Sequence, residues 1–187
     1  MKNSIGPKTI IYPTPVWVVG TYDQNDKPNA ATVAWAGICC NSPPCVAVAL
    51  RAATYTHGNI MARGAFTLNV PSEDHAKQAD YFGMATGAKE DKFARAGLTP
   101  VRSELVDAPY VAEFPLVLEC NLLQAIELGQ HTQFVGEIID VKAESVLGEN
   151  GLPDIEKVRP IVFAPAARTY YRIGEFLGKA YSIGREL

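Results

Sequence analysis

The sequence has few of the features that mark nucleic-acid-binding, secreted or membrane-spanning proteins. Its 187 residues include 17 Lys and Arg against 20 Asp and Glu, which gives a formal net charge of −3. Nucleic acids and anionic membrane surfaces select clustered Lys and Arg, so neither is expected as a partner. No apolar run approaches the roughly 18 residues of a transmembrane helix, and the first residues lack the pattern of a secretory signal. We therefore expect a cytoplasmic protein.

Motifs for several common chemistries are also missing. No G-x-G-x-x-G follows a strand pattern, which argues against a dinucleotide-binding Rossmann unit, and the glycine spacing at 174–179 is too short for a P-loop. His57, His75 and His131 lie far apart, without the spacing of zinc ligands, and no G-x-S-x-G elbow is present. We therefore expect no metal site and assign no catalytic residue from motifs.

The four cysteines form no C-x-x-C pair, and apolar residues flank them. Cysteine is one of the most frequently buried residue types, so Cys39, Cys40, Cys45 and Cys120 are interpreted as small core residues. A disulfide framework is not expected in a chain of this size without a secretory signal.

What the sequence does contain is a folded, strand-rich domain. Hydrophobic residues make up 48% of the chain and charged residues 20%, which excludes intrinsic disorder, and the length predicts one domain over residues 1–187. Runs of β-branched and aromatic residues between turn residues predict many short strands. These strands are predicted at Thr9–Tyr12, Val16–Tyr22, Ala31–Cys39, Val46–Leu50, Phe66–Val70, Leu116–Leu128, Phe134–Ala143, Ile161–Phe163 and Tyr170–Ile173.

Helices are fewer. The first is predicted at Gly58–Arg63, with Thr56 as its N-cap and Gly64 after its end. A second begins after Ser72 and runs to about Phe82, and a third covers Lys89–Arg95. Strands spread along the whole chain with few helices between them favour a mainly β, closed or half-closed barrel over a parallel sheet.

The segment from Arg51 to Asn59 has the residues of a phosphate site. Arg51 leaves a strand, and Thr54, Thr56 and His57 follow at the start of a helix, where hydroxyls and free N–H groups favour an anion. The alternative is that Thr56 serves only as an N-cap and that Arg51 is a solvated charge.

A second candidate segment is the strand from Asn29 to Gly37. Small residues around Trp35 and Ala36 leave the backbone open to a flat ligand. The alternative is a core tryptophan. On residue type alone, Lys92 is interpreted as a solvated helix charge and His131 as a turn residue.

Further short stretches complete a characteristic ordered set that spans nearly the whole chain. In order, the set is N-A-A-T-V-A-W-A-G at 29–37, N-S-P-P at 41–44, R-A-A-T-Y-T-H at 51–57, F-T-L-N-V-P at 66–71, D-K-F-A-R-A-G-L-T-P at 91–100, G-x-H at 129–131 followed by F-V-G-E-I, R-P-I-V-F at 159–163 and Y-Y-R-I-G at 170–174.

With this set the chain resembles the flavin reductase-like family of FMN-binding split barrels, and within it the flavoredoxin group. The resemblance implies a six-stranded Greek-key split barrel with peripheral helices, which forms a homodimer and binds FMN near the subunit interface. Carried over by position, the implied FMN-binding residues are Asn29, Trp35, Ala36, Arg51, Thr54, Thr56, His57, Lys92, His131 and Phe163. His131 would lie beside the flavin ring, in its own or the partner subunit, and is the one candidate for a catalytic role.

Three functions follow from this resemblance. The first is a flavoprotein that carries electrons between a reduced donor and a downstream reductase, in which the flavin is the redox centre. The second is an NAD(P)H:flavin oxidoreductase that supplies reduced flavin. The third is a binding module that retains the barrel but has lost the cofactor.

Overall fold

The computed structural model describes residues 1–143 and 146–186. Antiparallel strands are its main regular structure. The strands are β1 (Thr14–Pro15), β2 (Trp17–Tyr22), β3 (Pro28–Val33), β4 (Ala36–Asn41), β5 (Pro44–Arg51), β6 (Ala65–Val70), β7 (Pro100–Arg102), β8 (Pro109–Val111), β9 (Leu116–Leu128), β10 (His131–Ala143), β11 (Ile161–Ala164) and β12 (Thr169–Arg172). The α-helices are α1 (Tyr55–Arg63), α2 (Ala76–Met84), α3 (Lys92–Ala96) and α4 (Ile155–Val158), and 3-10 turns cover Glu73–His75 and Ile183–Glu186.

The main sheet has seven strands in the order β3-β2-β6-β9-β10-β5-β4. Its two outer strands are consecutive in sequence, because only Ala34 and Trp35 separate β3 from β4. The hydrogen bond from Ala49 N to Trp35 O (2.9 Å) marks where the chain leaves β2 and joins β5. If β3 and β4 are counted as one bent strand, the sheet has the six strands of the predicted split barrel. The barrel is not fully closed.

The barrel interior is filled by ten buried residues: Val19, Val33, Val46, Val48, Leu50, Ile60, Phe66, Leu68, Cys120 and Phe134. Gly136 makes room for the Phe66 ring, since a Cβ at this position would contact the ring directly. A second core lies between the sheet and the helices, where Val16, Val18 and Ala30 pack on Ala79, Phe82 and Phe93. This second core holds α2 and α3 against β3, and it thereby positions the segment between the two helices.

Helix α1 begins earlier than predicted, and its N-cap is Thr54 rather than Thr56. The Thr54 Oγ1 accepts a hydrogen bond from His57 N (3.3 Å), whereas Thr56 is a buried residue of the first turn. The prediction of Thr56 as the cap is therefore wrong. The predicted end of this helix is confirmed, because Gly64 adopts a left-handed conformation (φ 65°) that suits glycine after a helix.

Other expected elements also differ in the structure. The segment Thr9–Tyr12 is exposed and is not a strand, and the single strand expected at Ala31–Cys39 is β3 and β4 with a bend between them. The third helix starts at Lys92 rather than Lys89, because the Asp91 side chain caps it by accepting a hydrogen bond from Ala94 N (3.0 Å). The length of β9 was predicted correctly.

The expectation that all four cysteines are buried is wrong for two of them. Cys45 and Cys120 are buried, but Cys39 and Cys40 are exposed on β4. The four residues are free thiols. None of the helices in the described part of the chain is long and apolar enough to cross a membrane.

Candidate functional site

A cavity of about 270 Å³ lies between β3, the start of α1 and the segment that joins α2 to α3. Four of the predicted site residues line it together, although the sequence separates them by up to 63 positions: Asn29, Thr54, Thr56 and Lys92. The remaining lining residues are Ala31, Thr32, Leu50, Ala53, Tyr55, Phe82, Gly83, Ala85, Thr86 and Gly87.

Asn29 is buried in this cavity wall with only half of its amide satisfied. Its Nδ2 donates to Thr56 Oγ1 (2.9 Å) and to Thr21 Oγ1 (3.2 Å). Its Oδ1 is buried and has no hydrogen-bond partner. An unpaired buried carbonyl is costly, typically by about 1–3 kcal/mol. The fixed orientation of the amide therefore presents an acceptor that a ligand N–H or O–H would satisfy.

Lys92 is 2% exposed, which is rare for lysine. Its Nζ donates to Phe82 O (2.7 Å) and lies 5.6 Å from the centre of the Phe82 ring. Burial lowers the pKa of Lys92 to about 8. This result corrects the interpretation of Lys92, on residue type alone, as a solvated charge. The ammonium group has donor capacity left for an anionic or carbonyl group in the cavity.

A larger adjoining cavity of about 510 Å³ shares Ala53, Thr54, Tyr55 and Thr86 with the first. Its wall contains a hydrogen-bonded pair, in which Tyr55 Oη donates to Asp23 Oδ2 (2.7 Å). This bond, with burial, raises the pKa of Tyr55 to about 12. Burial acts to raise the pKa of Asp23, but the hydrogen bonds from Tyr55 and from the Lys27 and Asn25 backbone lower it overall.

The segment between α2 and α3 closes one side of the first cavity. Lys27 Nζ holds it in place by donating to Gly87 O (3.0 Å) and Glu90 O (3.2 Å). At Gly87 the backbone approaches Asn29 so closely that a Cβ would contact Asn29 Oδ1. Glycine is therefore required here for this segment to lie against the amide of Asn29.

A second group of predicted residues lies where β4, β5 and β10 meet. The rings of Trp35 and His131 are 4.8 Å apart with an interplanar angle of 45°. His131 is the register partner of Arg51, and Ala36 begins β4 next to Trp35. Trp35 is 43% exposed and Arg51 is exposed, so this group faces solvent in the single chain. Its members do not line the first cavity.

Two predicted residues lie apart from both groups. The His57 ring turns toward the barrel, where Nε2 is 2.9 Å from Thr132 Oγ1 and the ring packs edge-on against Phe134. Phe163 packs on Tyr170 and lines a cavity of about 220 Å³ on the other side of Thr32 and Gly83. This third cavity shares Thr32 and Gly83 with the first, which places Phe163 next to it.

Several lining residues were missed from the sequence. Asp23 lies in a run of turn residues, and Gly87 comes shortly after the predicted end of the second helix near Phe82. Tyr55 stands between two residues that were predicted. Nothing in the local pattern distinguishes these three residues from ordinary turn and helix positions, because their role depends on contacts between distant segments.

Comparison with known proteins identifies this architecture. A family model described as a flavin reductase like domain matches residues 9–171. The chain is similar to the flavoredoxin of Desulfovibrio vulgaris (Miyazaki F), with 56% identity over 98% of this chain and 100% of that one and a TM-score of 0.94. It is also similar to a flavoredoxin from Methanosarcina acetivorans, with 30% identity over 100% of this chain and 98% of that one and a TM-score of 0.93.

A further relative is the reductase component of a monooxygenase. The reductase component of a 4-nitrophenol 4-monooxygenase/4-nitrocatechol 2-monooxygenase from Rhodococcus opacus is 33% identical over 123 residues, which are 66% of this chain and 63% of the relative.

The open antiparallel barrel, together with the polar cavity beside its bent strand, defines the class of split-barrel flavoproteins. The chain belongs to the flavin reductase-like family, as its match over residues 9–171 shows. The similarity to two flavoredoxins confirms the predicted resemblance to that group and supports FMN as the cofactor.

The cavity residues fit such a cofactor. The unpaired Asn29 Oδ1 offers an acceptor, and the buried Lys92 offers a positive charge. Thr54, Tyr55 and Thr56 of the first turn of α1 line the cavity, and a helix N-terminus favours a phosphate. Gly87 allows the segment between α2 and α3 to lie against Asn29 at the cavity wall.

Proposed function

We propose that this protein binds FMN and transfers electrons between a reduced donor and a downstream reductase. The observation that carries the proposal is the cavity wall in which an unpaired amide oxygen of Asn29 and the buried ammonium group of Lys92 are both present. Two such groups cost stability in an empty cavity, and a polar, anionic ligand compensates both.

Different residues of the chain contribute different interactions to ligand binding. Asn29 accepts a hydrogen bond from the ligand, and Lys92 stabilises negative charge beside Phe82. Thr54 and Thr56 orient the first turn of α1 toward the cavity. Arg51 does not line the cavity, but it lies two residues before Ala53, which does, and it adds positive charge near a phosphate. FMN supplies the redox chemistry when it is bound. No general base among these residues is needed for that role.

We further propose that the working form is a homodimer in which the Trp35–His131 group is completed by the second subunit. Large apolar side chains are exposed on the long strands β9 and β10, namely Leu123, Leu128, Ile139 and Val141. Exposed apolar residues in such numbers are typical of an interface between chains. His131 and Phe163 are then assigned to the flavin site of the assembled dimer, and the whole chain 1–187 acts as one domain in the cytoplasm.

The absorption spectrum of the purified protein tests FMN binding. We expect a yellow protein with one FMN per chain, and FMN that dissociates about tenfold more readily in Arg51→Ala and Thr56→Ala. The first change removes positive charge near the phosphate and the second removes the hydroxyl that holds the Asn29 amide, each worth about 1–2 kcal/mol. Lys89→Ala is the matched control, since Lys89 is an exposed cation outside the cavity. A colourless protein that cannot be reconstituted with FMN contradicts the proposal.

The second candidate function is an NAD(P)H:flavin oxidoreductase. The observation that favours it is the similarity to the Rhodococcus reductase component. Steady-state assays with NADH and NADPH distinguish the two functions. Rapid nicotinamide oxidation with release of reduced FMN identifies the oxidoreductase, whereas slow oxidation with FMN retained identifies the electron carrier.

A further inference from the structure

The hairpin of β4 and β5 brings two cysteines together that the sequence separates by four residues. Cys40 on β4 is the register partner of Cys45 on β5. The register shifts between Ile38 and Cys40, so that Cys39 is the extra residue of a β-bulge and has no partner on β5. Without this bulge the strand would place Cys39, not Cys40, opposite Cys45.

The distance between these positions suits a covalent bond. Directly opposed residues of antiparallel strands have Cα atoms about 4.5–5.5 Å apart. Disulfides span Cα separations of about 4.4–6.8 Å, so opposed positions of a hairpin lie within the range that a disulfide bridges.

The two thiols differ in the way that a reactive and a resolving cysteine differ. Cys40 is exposed and open to a dissolved oxidant, whereas Cys45 is 3% exposed and its Sγ donates to Pro43 O (3.4 Å). Burial raises the pKa of the Cys45 thiol, and negative charge on Cys40, Cys39 and Glu137 raises it further. Cys45 is therefore protected from direct oxidation, while the strand register places it opposite the exposed Cys40.

We propose that Cys40 and Cys45 form a thiol–disulfide site, which closes to an intramolecular disulfide when Cys40 reacts with a small disulfide such as oxidised glutathione. This site is separate from the cavity lined by Asn29 and Lys92 and is not needed for the proposed electron transfer.

The reaction has two balanced steps. The Cys40 thiolate attacks one sulfur of oxidised glutathione, which forms a mixed disulfide and releases one glutathione thiolate. Cys45 then loses its proton and attacks the Cys40 sulfur, which forms the Cys40–Cys45 bond and releases the second glutathione. The two protein thiols are oxidised by two electrons, and one glutathione disulfide is reduced to two thiols.

The hairpin also connects this site to the flavin-site candidates. Ala36 begins β4 directly after Trp35, and Arg51 ends β5. A bond between Cys40 and Cys45 joins these same two strands at their other end, next to the turn at 42–43.

The test is a thiol count on the full-length FMN-loaded protein. Reduced protein is incubated with oxidised glutathione without oxygen, quenched with acid, unfolded and labelled with N-ethylmaleimide, and its intact mass is measured. Of the four cysteines in the chain, we expect Cys40 and Cys45 to be lost from labelling as a pair, with no glutathione attached to either and no covalent dimer on a non-reducing gel.

Cys39→Ser is the matched control, because it removes the exposed neighbouring cysteine but leaves the opposed pair. We expect it still to lose two thiols. Cys40→Ser removes only an exposed thiol and should lose none to an internal bond, which keeps the test decisive even if a change at the buried Cys45 impairs folding. Four labelled thiols in the oxidised wild type, a stable glutathione adduct on Cys40, a covalent dimer, or an internal disulfide that persists in Cys40→Ser each overturn the proposal.

Discussion

Lys92 carries its charge in a place where few lysines occur, 2% exposed and bonded through Nζ to one carbonyl. Burial lowers its pKa from 10.5 to about 8. In the range between these two values the unfolded chain binds a proton that the folded chain does not, so stability rises with pH there. Below pH 8 both states are protonated, and the full cost of the buried charge remains.

We therefore predict that the FMN-free protein gains about 2 kcal/mol in its free energy of unfolding between pH 7.5 and pH 9.5 through this residue. Urea unfolding at a series of pH values measures the gain. In Lys92→Met the gain should vanish, since no titrating group remains at that position.

Lys89→Met is the control for this experiment, because Lys89 is exposed on the same segment. It should retain the pH dependence of the wild type. An unchanged pH dependence in Lys92→Met would show that Lys92 is solvated in the free protein.

At the scale of elements, the start of α1 depends on Thr54. Its Oγ1 accepts from His57 N (3.3 Å) and donates to Arg51 O (2.9 Å), so one hydroxyl joins the end of β5 to the first turn of the helix. N-cap threonines typically contribute about 1 kcal/mol. Thr54→Ala should lower the free energy of unfolding by about that amount, measured by urea denaturation at neutral pH.

Thr54→Ser keeps the hydroxyl and should restore most of the loss. If Thr54→Ala and Thr54→Ser are equally destabilised, the methyl group rather than the cap is responsible, and the assignment of Thr54 as the cap fails.

The difference between Thr54 and Thr56 shows where sequence patterns stop being sufficient. Both residues suit an N-cap by type, and Gly64 correctly predicts the helix end. The Thr56 hydroxyl instead accepts a hydrogen bond from the amide of Asn29, which lies 27 positions earlier in the chain. A contact of this length is invisible to a local pattern. The same holds for the bend at Ala34 and Trp35, which is caused by the change of hydrogen-bond partner from β2 to β5.

In the candidate site, too, some residues could be predicted from the sequence and others could not. Asn29, Thr54, Thr56 and Lys92 were predicted from family motifs, and they converge on one cavity. Gly87 was not predicted, since its importance comes from its approach to Asn29 rather than from its neighbours in sequence. Strand positions were mostly predictable because alternation and β-branched residues are local. The segment between α2 and α3 was not, because Lys27 fixes it from across the chain.

At the scale of the whole molecule, the net charge is only −3, and many large apolar side chains are exposed. They include Ile10, Ile11, Phe176 and Leu177 in the two terminal segments. A single chain gains nothing from placing these groups in water. The proposed homodimer would bury such groups against a second copy, together with the exposed residues of β9 and β10.

The proposed homodimer predicts a specific response to a charge at Ile139. Ile139 is 41% exposed and lies where the register between β9 and β10 shifts, so a lysine there leaves the strand pairing intact. Wild-type protein should sediment at roughly twice 20.2 kDa at micromolar concentration. Ile139→Lys should raise the dissociation constant of the dimer at least about tenfold, because burial of one isoleucine is worth about 1.5–3 kcal/mol. Lys89→Glu, a charge change on the α2–α3 segment, should leave it unchanged. A wild-type protein that sediments as a monomer would contradict the dimer directly, and it would leave Trp35 and His131 to act from one chain.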